Sequence, residues 1–219
     1  MIKAIIFDLD GTLIDTTQDI TDACNEVLNE YGFNTFSNDE IQSKVGNGSL
    51  KLIERCLPES KQHLAQEVLD KYFIAYSKCY KNKSVPYEGV PELLKTLQER
   101  NILIACNTNK MSELCEDLLK DKFPEIIFFK IVGSSDNKPN KPDPYGCNEI
   151  IKEMNLNKNE VLYVGDSDVD VMTGKNANLI TIACLWGFKE EEFLKQFNPD
   201  YLISTPSQLL EVIEEVEKL

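Results

Sequence analysis

The hydrophobic pattern of this chain falls into two regimes. Ala4 to Phe7 are apolar without alternation, the pattern of a strand covered on both faces. The texture then turns helical. Ile20, Cys24, Val27, Leu28 and Tyr31 share one face of a helix over 18–31 that Gly32 stops. Asn38 is the expected cap of a short helix over 39–45. Gly46-Asn47-Gly48 interrupts it, and a further helix over 49–56 ends before Pro58. Leu64, Val68, Leu69, Tyr72, Phe73 and Tyr76 predict a longer helix over 61–80. No strand is expected between 16 and 84.

From residue 90 the pattern alternates. Helices over 91–100, 111–122, 145–154, 168–176 and 190–197 interleave with apolar strands over 102–106, 126–132, 161–164, 179–183 and 201–203, and a helix over 206–219 closes the chain. Such alternation implies βαβ units. The fold class is therefore α/β: a Rossmann-like parallel sheet with helices on both faces, built from 1–15 and 85–219, with a small all-α domain over 16–84 inserted after the first strand.

Composition adds exclusions rather than a function. With 42% hydrophobic and 27% charged residues, the 219-residue chain is that of an ordinary globular protein. A net charge of −14 argues against nucleic acid and anionic membranes as partners and suits a protein that recruits cations, although Glu190 to Glu192 and Glu211 to Glu217 read as solvated helix faces. The seven cysteines are odd in number and form no C-x-x-C pair, which predicts free thiols in a reducing compartment. No apolar run approaches the ~18 residues of a membrane span, so a soluble, cytoplasmic protein is expected. His63, the one histidine, lies in a polar stretch. A multi-histidine metal site is thereby excluded.

In parallel sheets, sites form beyond the carboxyl ends of the strands. Four polar clusters stand there: Asp8 and Asp10 with Gly11-Thr12, Asn107 to Lys110, Lys138 to Asp143, and Gly165 to Asp170. Asp8 and Asp10 are two residues apart, so an extended backbone would aim both carboxylates into one volume, where they need a cation or a shared proton. Asp8, Asp10 and Asp166 suit Mg²⁺, which takes one or two carboxylates plus waters and a substrate phosphate. Calcium is the rival, yet a calcium loop starting at Asp166 would need Gly and Glu where Val171 and Ala177 stand, and one starting at Asp8 meets Leu13 and Asp19.

Together, Asp8-Leu9-Asp10-Gly11-Thr12, Thr108, Lys141 before Pro142-Asp143-Pro144, and Gly165-Asp166 with Asp170 resemble the haloacid dehalogenase superfamily of aspartate-nucleophile phosphatases. The resemblance runs along the whole chain, and the helical insert looks like that family's α-helical cap. It implies Asp8 as nucleophile forming an aspartyl-phosphate, Asp10 as acid and base, and Thr108 and Lys141 on the phosphoryl oxygens, with Lys138 a rival for Lys141. It also implies Mg²⁺ held by Asp8, Asp10 (through its main-chain carbonyl), Asp166 and Asp170. Asp10 weighs against a true dehalogenase, since those relatives lack the second aspartate and the metal. Val45-Gly46-Asn47-Gly48 resembles the cap loop of phosphoglycolate phosphatases, which makes Gly46, Asn47, Gly48 and Asn109 candidate substrate residues. Lys44, Lys51 or Arg55 could meet a substrate carboxylate, and Trp186 reads as a packed aromatic. The expected function is Mg²⁺-dependent hydrolysis of small phosphorylated metabolites, phosphoglycolate first, by a monomer or homodimer. A β-phosphoglucomutase-like isomerase or a pyrophosphatase of the same family is the alternative. A phospho-accepting signalling domain fits poorly, because its aspartate follows a later strand.

Overall fold

The computed structural model describes residues 1–135 and 138–218. In chain order the elements are β1 (Ala4–Phe7), β2 (Ile14–Asp15), α1 (Thr17–Glu30), α2 (Asn38–Lys44), α3 (Ser49–Cys56), α4 (Ala65–Cys79), β3 (Val85–Pro86), α5 (Val90–Glu99), β4 (Leu103–Met111), α6 (Ser112–Lys122), β5 (Phe128–Ser134), α7 (Tyr145–Met154), β6 (Val161–Gly165), α8 (Asp168–Asn176), β7 (Ile180–Cys184), α9 (Glu191–Leu194), β8 (Tyr201–Ile203) and α10 (Gln208–Val216). Leu219, the last residue of the expected closing helix, lies outside the described residues.

A six-stranded sheet runs in the order β5-β4-β1-β6-β7-β8, every pair parallel. The side-chain period of two decides which residue meets which layer. Ile5 and Phe7 pack with Leu94 of α5, Leu118 of α6 and Leu209 of α10, whereas Ala4 and Ile6 join Ile150 and Ile151 of α7 on the opposite face. Both faces are thus covered, which accounts for the unbroken apolar run that opens the chain.

Helices α1 to α4 occupy the stretch between β2 and β3, and those two strands pair antiparallel where the chain leaves and re-enters the sheet region. The two crossings are fastened by Asp19. It is fully buried, and its carboxylate accepts from the amides of Lys83 (3.0 Å) and Ser84 (2.8 Å) and from the Ser84 hydroxyl (2.7 Å). An apolar cluster continuous with the α5–α6 side of the sheet extends into these helices through Ile20, Cys24, Ile53 and Val68.

Several boundaries differ from the sequence pattern, each for a local reason. The cap of α2 is Ser37, not Asn38: Ser37 and Glu40 exchange side-chain and main-chain hydrogen bonds in a capping box. Residues 59–64 form a 3₁₀ helix ahead of α4, and α9 likewise passes into a 3₁₀ turn at Lys195–Phe197. β4 continues to Met111, with irregular pairing to β5 beyond Asn107. All seven cysteines are free thiols, and His63 is exposed. Among the described residues no helix is long and apolar enough to cross a membrane.

Candidate active site

Because β1 lies between β4 and β6, the carboxyl ends of three strands converge on one spot. Asp8 follows β1 and is anchored by its own amide, which donates to the Val164 carbonyl (2.9 Å). Thr108 comes from β4, Asp166 from the end of β6, and Lys141 from the segment before α7. Asp8, Thr108, Lys141 and Asp166 are all buried, yet with Asp10 and Lys110 they line one cavity. Ile20, Val45, Leu52, Tyr72, Phe73 and Tyr76 of the helical segment form its apolar side.

Lys141 is the charged hub. Its Nζ lies 2.7 Å from Asp8 Oδ1 and 2.6 Å from Asp170 Oδ1, and only the second contact has the alignment of a hydrogen bond. Burial pushes the Lys141 ammonium down, but Asp170 and Asp8 outweigh it and hold its pKa above the ordinary lysine value. Asn109 fixes the lysine's backbone: its Oδ1 accepts from Lys141 N (2.8 Å) and its Nδ2 donates to Lys141 O (3.2 Å). The alternative lysine, Lys138, is exposed.

Burial, reinforced by the charge of Asp170, raises Asp8 to about 7. Burial and the same neighbour raise Asp166 well above the carboxylate range, against the Thr12 hydroxyl (3.1 Å) and the Phe188 amide (2.7 Å) that donate to it. Asp8, Asp166 and Asp170 each offer an oxygen within 4.8 Å of the others. Three buried carboxylates at that spacing, two of them with raised pKa values, are a hard-cation donor set. Close packing leaves little room for change around Asp166. Gly11, at φ +88°, and Gly187 both press on its side chain, and a Cβ at either would collide with it.

Asp170 has a second duty. Its Oδ2 accepts from the Ser167 amide and hydroxyl in the capping box that starts α8, and its Oδ1 also accepts from the Tyr163 hydroxyl (3.2 Å). Asp10 stands apart from the carboxylate trio. Its Oδ1 accepts from Thr16 Oγ1 (2.8 Å) and Lys110 Nζ (2.9 Å), and Lys110 also donates to the Tyr76 hydroxyl of α4. Lys110 is buried and paired, a site residue that the sequence pattern did not single out. It reads there as ordinary helix-entry chemistry, although β4 carries it directly to Asp10. Of the candidate substrate residues, Gly46 and Gly48 line the cavity with Asn109, while Asn47 accepts from Arg55. Arg55 also donates to Lys44 O, and Lys51 pairs with Glu54. Trp186 is half-buried and donates to Thr12 O (3.0 Å), as a packed aromatic would.

A parallel sheet that gathers an aspartate pair, a threonine, a lysine and a further acidic residue at its carboxyl edge defines a class of hydrolase. The chain belongs to the haloacid dehalogenase-like hydrolase family, whose model matches residues 5–184. Its full-length similarity is to members named phosphoglycolate phosphatase. That of Psychrobacter arcticus is 33% identical, the alignment covering 96% of this chain and 95% of the relative. That of Aquifex aeolicus is 30% identical over 97% of both chains. Among solved structures, a candidate phosphoglycolate phosphatase from Lactobacillus delbrueckii subsp. bulgaricus superposes with a TM-score of 0.91 at 27% identity, covering 96% of this chain and 98% of its own.

Proposed function

We propose that the protein is a Mg²⁺-dependent phosphatase of small phosphorylated metabolites, phosphoglycolate foremost, acting through a phosphorylated Asp8. The observation that carries this reading is the placement of Asp8 against Lys141, with Thr108, Asp10 and Asp166 on the same cavity. The full-length similarity to phosphoglycolate phosphatases supports the substrate.

The carboxylate trio fits a divalent cation. Asp8 and Asp166 would hold it, with Asp170 at the edge of the set and already engaged by Lys141, Ser167 and Tyr163. When bound, such a cation supplies positive charge that keeps Asp8 and Asp166 ionised together and offsets the charge of the phosphoryl oxygens. Lys141 and the Thr108 hydroxyl hold those oxygens as donors placed in advance. An Asp8 carboxylate oxygen attacks phosphorus while the bond to the leaving oxygen breaks. Asp10 gives that oxygen a proton, then takes one from the water that attacks the phosphorylated Asp8, which releases inorganic phosphate. Thr16 and Lys110 both engage Oδ1 of Asp10, which leaves Oδ2 to carry the proton. Residues 16–84 act as a cap domain over the core of 1–15 and 85–219, and their apolar side chains keep bulk water from the reacting atoms.

The test is phosphate release with Mg²⁺ from phosphoglycolate, p-nitrophenyl phosphate and β-glucose 1-phosphate. Release from phosphoglycolate that stops on chelation and returns with Mg²⁺ is the expected result. Sugar isomerisation without free phosphate would instead establish a mutase.

A further inference from the structure

We infer that Lys189 receives the carboxylate of the substrate and so selects phosphate monoesters that carry a second anionic group; this inference rests on the phosphatase reading above. Lys189 follows a pinned turn. After β7, Trp186 donates to Thr12 O and the Phe188 amide donates to the Asp166 carboxylate, so the backbone just before Lys189 is fixed to the catalytic loop of β1 and to the acid of β6. Lys189 is half-buried and lines the same cavity as Asp8, Thr108 and Lys141, and its Nζ donates to Ser43 O in α2 (3.2 Å).

Three ammonium groups line that cavity, and two are already matched. Lys141 faces Asp8 and Asp170, and Lys110 faces Asp10. Among the described residues no carboxylate lies within ion-pair distance of Lys189 Nζ. The three basic residues of α2 and α3 are occupied elsewhere: Arg55 with Lys44 O and Asn47, Lys51 with Glu54, and Lys44 over the Phe36 ring. The wall contributed by the insert is largely apolar, and a substrate carboxylate buried against it without a cation would lose its hydration for few hydrogen bonds in return. Desolvation, with a smaller contribution from Arg55, holds the Lys189 ammonium below the ordinary lysine pKa against the charges of Asp168 and Asp166, neither of which makes an ion pair with it, so a contacting anion would relieve the cost that remains. With Lys141 at the phosphoryl end, Lys189 gives the cavity a second positive pole.

Lys189 also joins the α2 segment to the β7 loop, and a strut of that kind would affect every substrate alike. Two esters of equal length separate the roles: phosphoglycolate, which carries a carboxylate, and 2-hydroxyethyl phosphate, which carries a hydroxyl in its place. The readout is the ratio of kcat/KM for the first over the second, measured for the wild-type protein, Lys189→Met and Lys189→Arg. The ratio is expected to favour phosphoglycolate in the wild type, to fall by at least about tenfold in Lys189→Met through KM, and to recover in Lys189→Arg. A wild-type ratio near one, or a fall of less than tenfold in Lys189→Met, overturns the role of Lys189 and leaves the phosphatase reading intact. A wild-type protein that releases phosphate from neither ester overturns both.

Discussion

Asp8 is buried between the Lys141 ammonium and the Asp170 carboxylate, with a pKa raised to about 7 by burial first and by Asp170 second. In the unfolded chain the same carboxyl titrates near ~3.9. Between those two values the folded protein binds the proton that the unfolded chain has already lost. Without a divalent cation, therefore, Asp8 contributes stability below about pH 4 that is withdrawn as the pH rises toward about 7. Asp8→Asn cannot ionise and escapes the withdrawal. Its thermal midpoint in chelator should gain on that of the wild type across this window, while turnover falls by at least about 10³-fold. Thermal melts at both ends of the window check the first expectation, and a constant or shrinking difference would contradict it. At this scale the sequence was informative because Asp8, Asp10, Thr108, Lys141 and Asp166 each follow an apolar run. Lys110 stands in one of the strand-end clusters too, yet nothing local separates it or Lys189 from a solvated lysine, since their importance lies in Asp10, Tyr76 and Ser43, partners far away in the chain.

The expected bounds of α1, α3, α7 and α8 agree with the structure almost to the residue: α1 buries one apolar stripe that Gly32 stops, α3 stands between the Gly46-Asn47-Gly48 break and Pro58, and α7 starts after Asp143-Pro144. The sequence pattern misplaces the cap of α2 at Asn38, although Ser37 and Glu40 have the spacing of a capping box one residue earlier. What periodicity does not carry is how the helical segment is tied to the sheet. Asp19 does this from α1 by accepting hydrogen bonds from Lys83 and Ser84, on the strand-bound return of the chain. Asp19→Ala leaves the buried Ser84 amide without its acceptor, at roughly 1–3 kcal/mol, while the Ser84 hydroxyl keeps Tyr80 O and the Lys83 amide lies nearer to water. Urea unfolding should show a loss of about 2 kcal/mol. A loss below about 1 kcal/mol would mean that the crossings are held by apolar packing instead.

The alternation of strand and helix from residue 90 onward prescribes a parallel sheet, and a parallel sheet prescribes where a site can form. Strand order supplies the rest. With β1 between β4 and β6, groups separated by about a hundred residues or more become neighbours, as in the contact of Asp8 with Lys141 at 2.7 Å. No spacing rule contains that order, and it turns four ordinary strand-end clusters into one site. The helical segment then adds an apolar roof, and Lys110 and Lys189 meet it from the sheet side through Tyr76 and Ser43. In the proposed function this assembly phosphorylates and then dephosphorylates Asp8. The most direct measurement is to quench the protein with acid during turnover of phosphoglycolate with Mg²⁺, reduce it with borohydride and sequence the peptides by mass spectrometry. Conversion of residue 8 to homoserine, absent without substrate, is the predicted result; turnover that leaves Asp8 unmodified, or that marks another carboxylate, would contradict it.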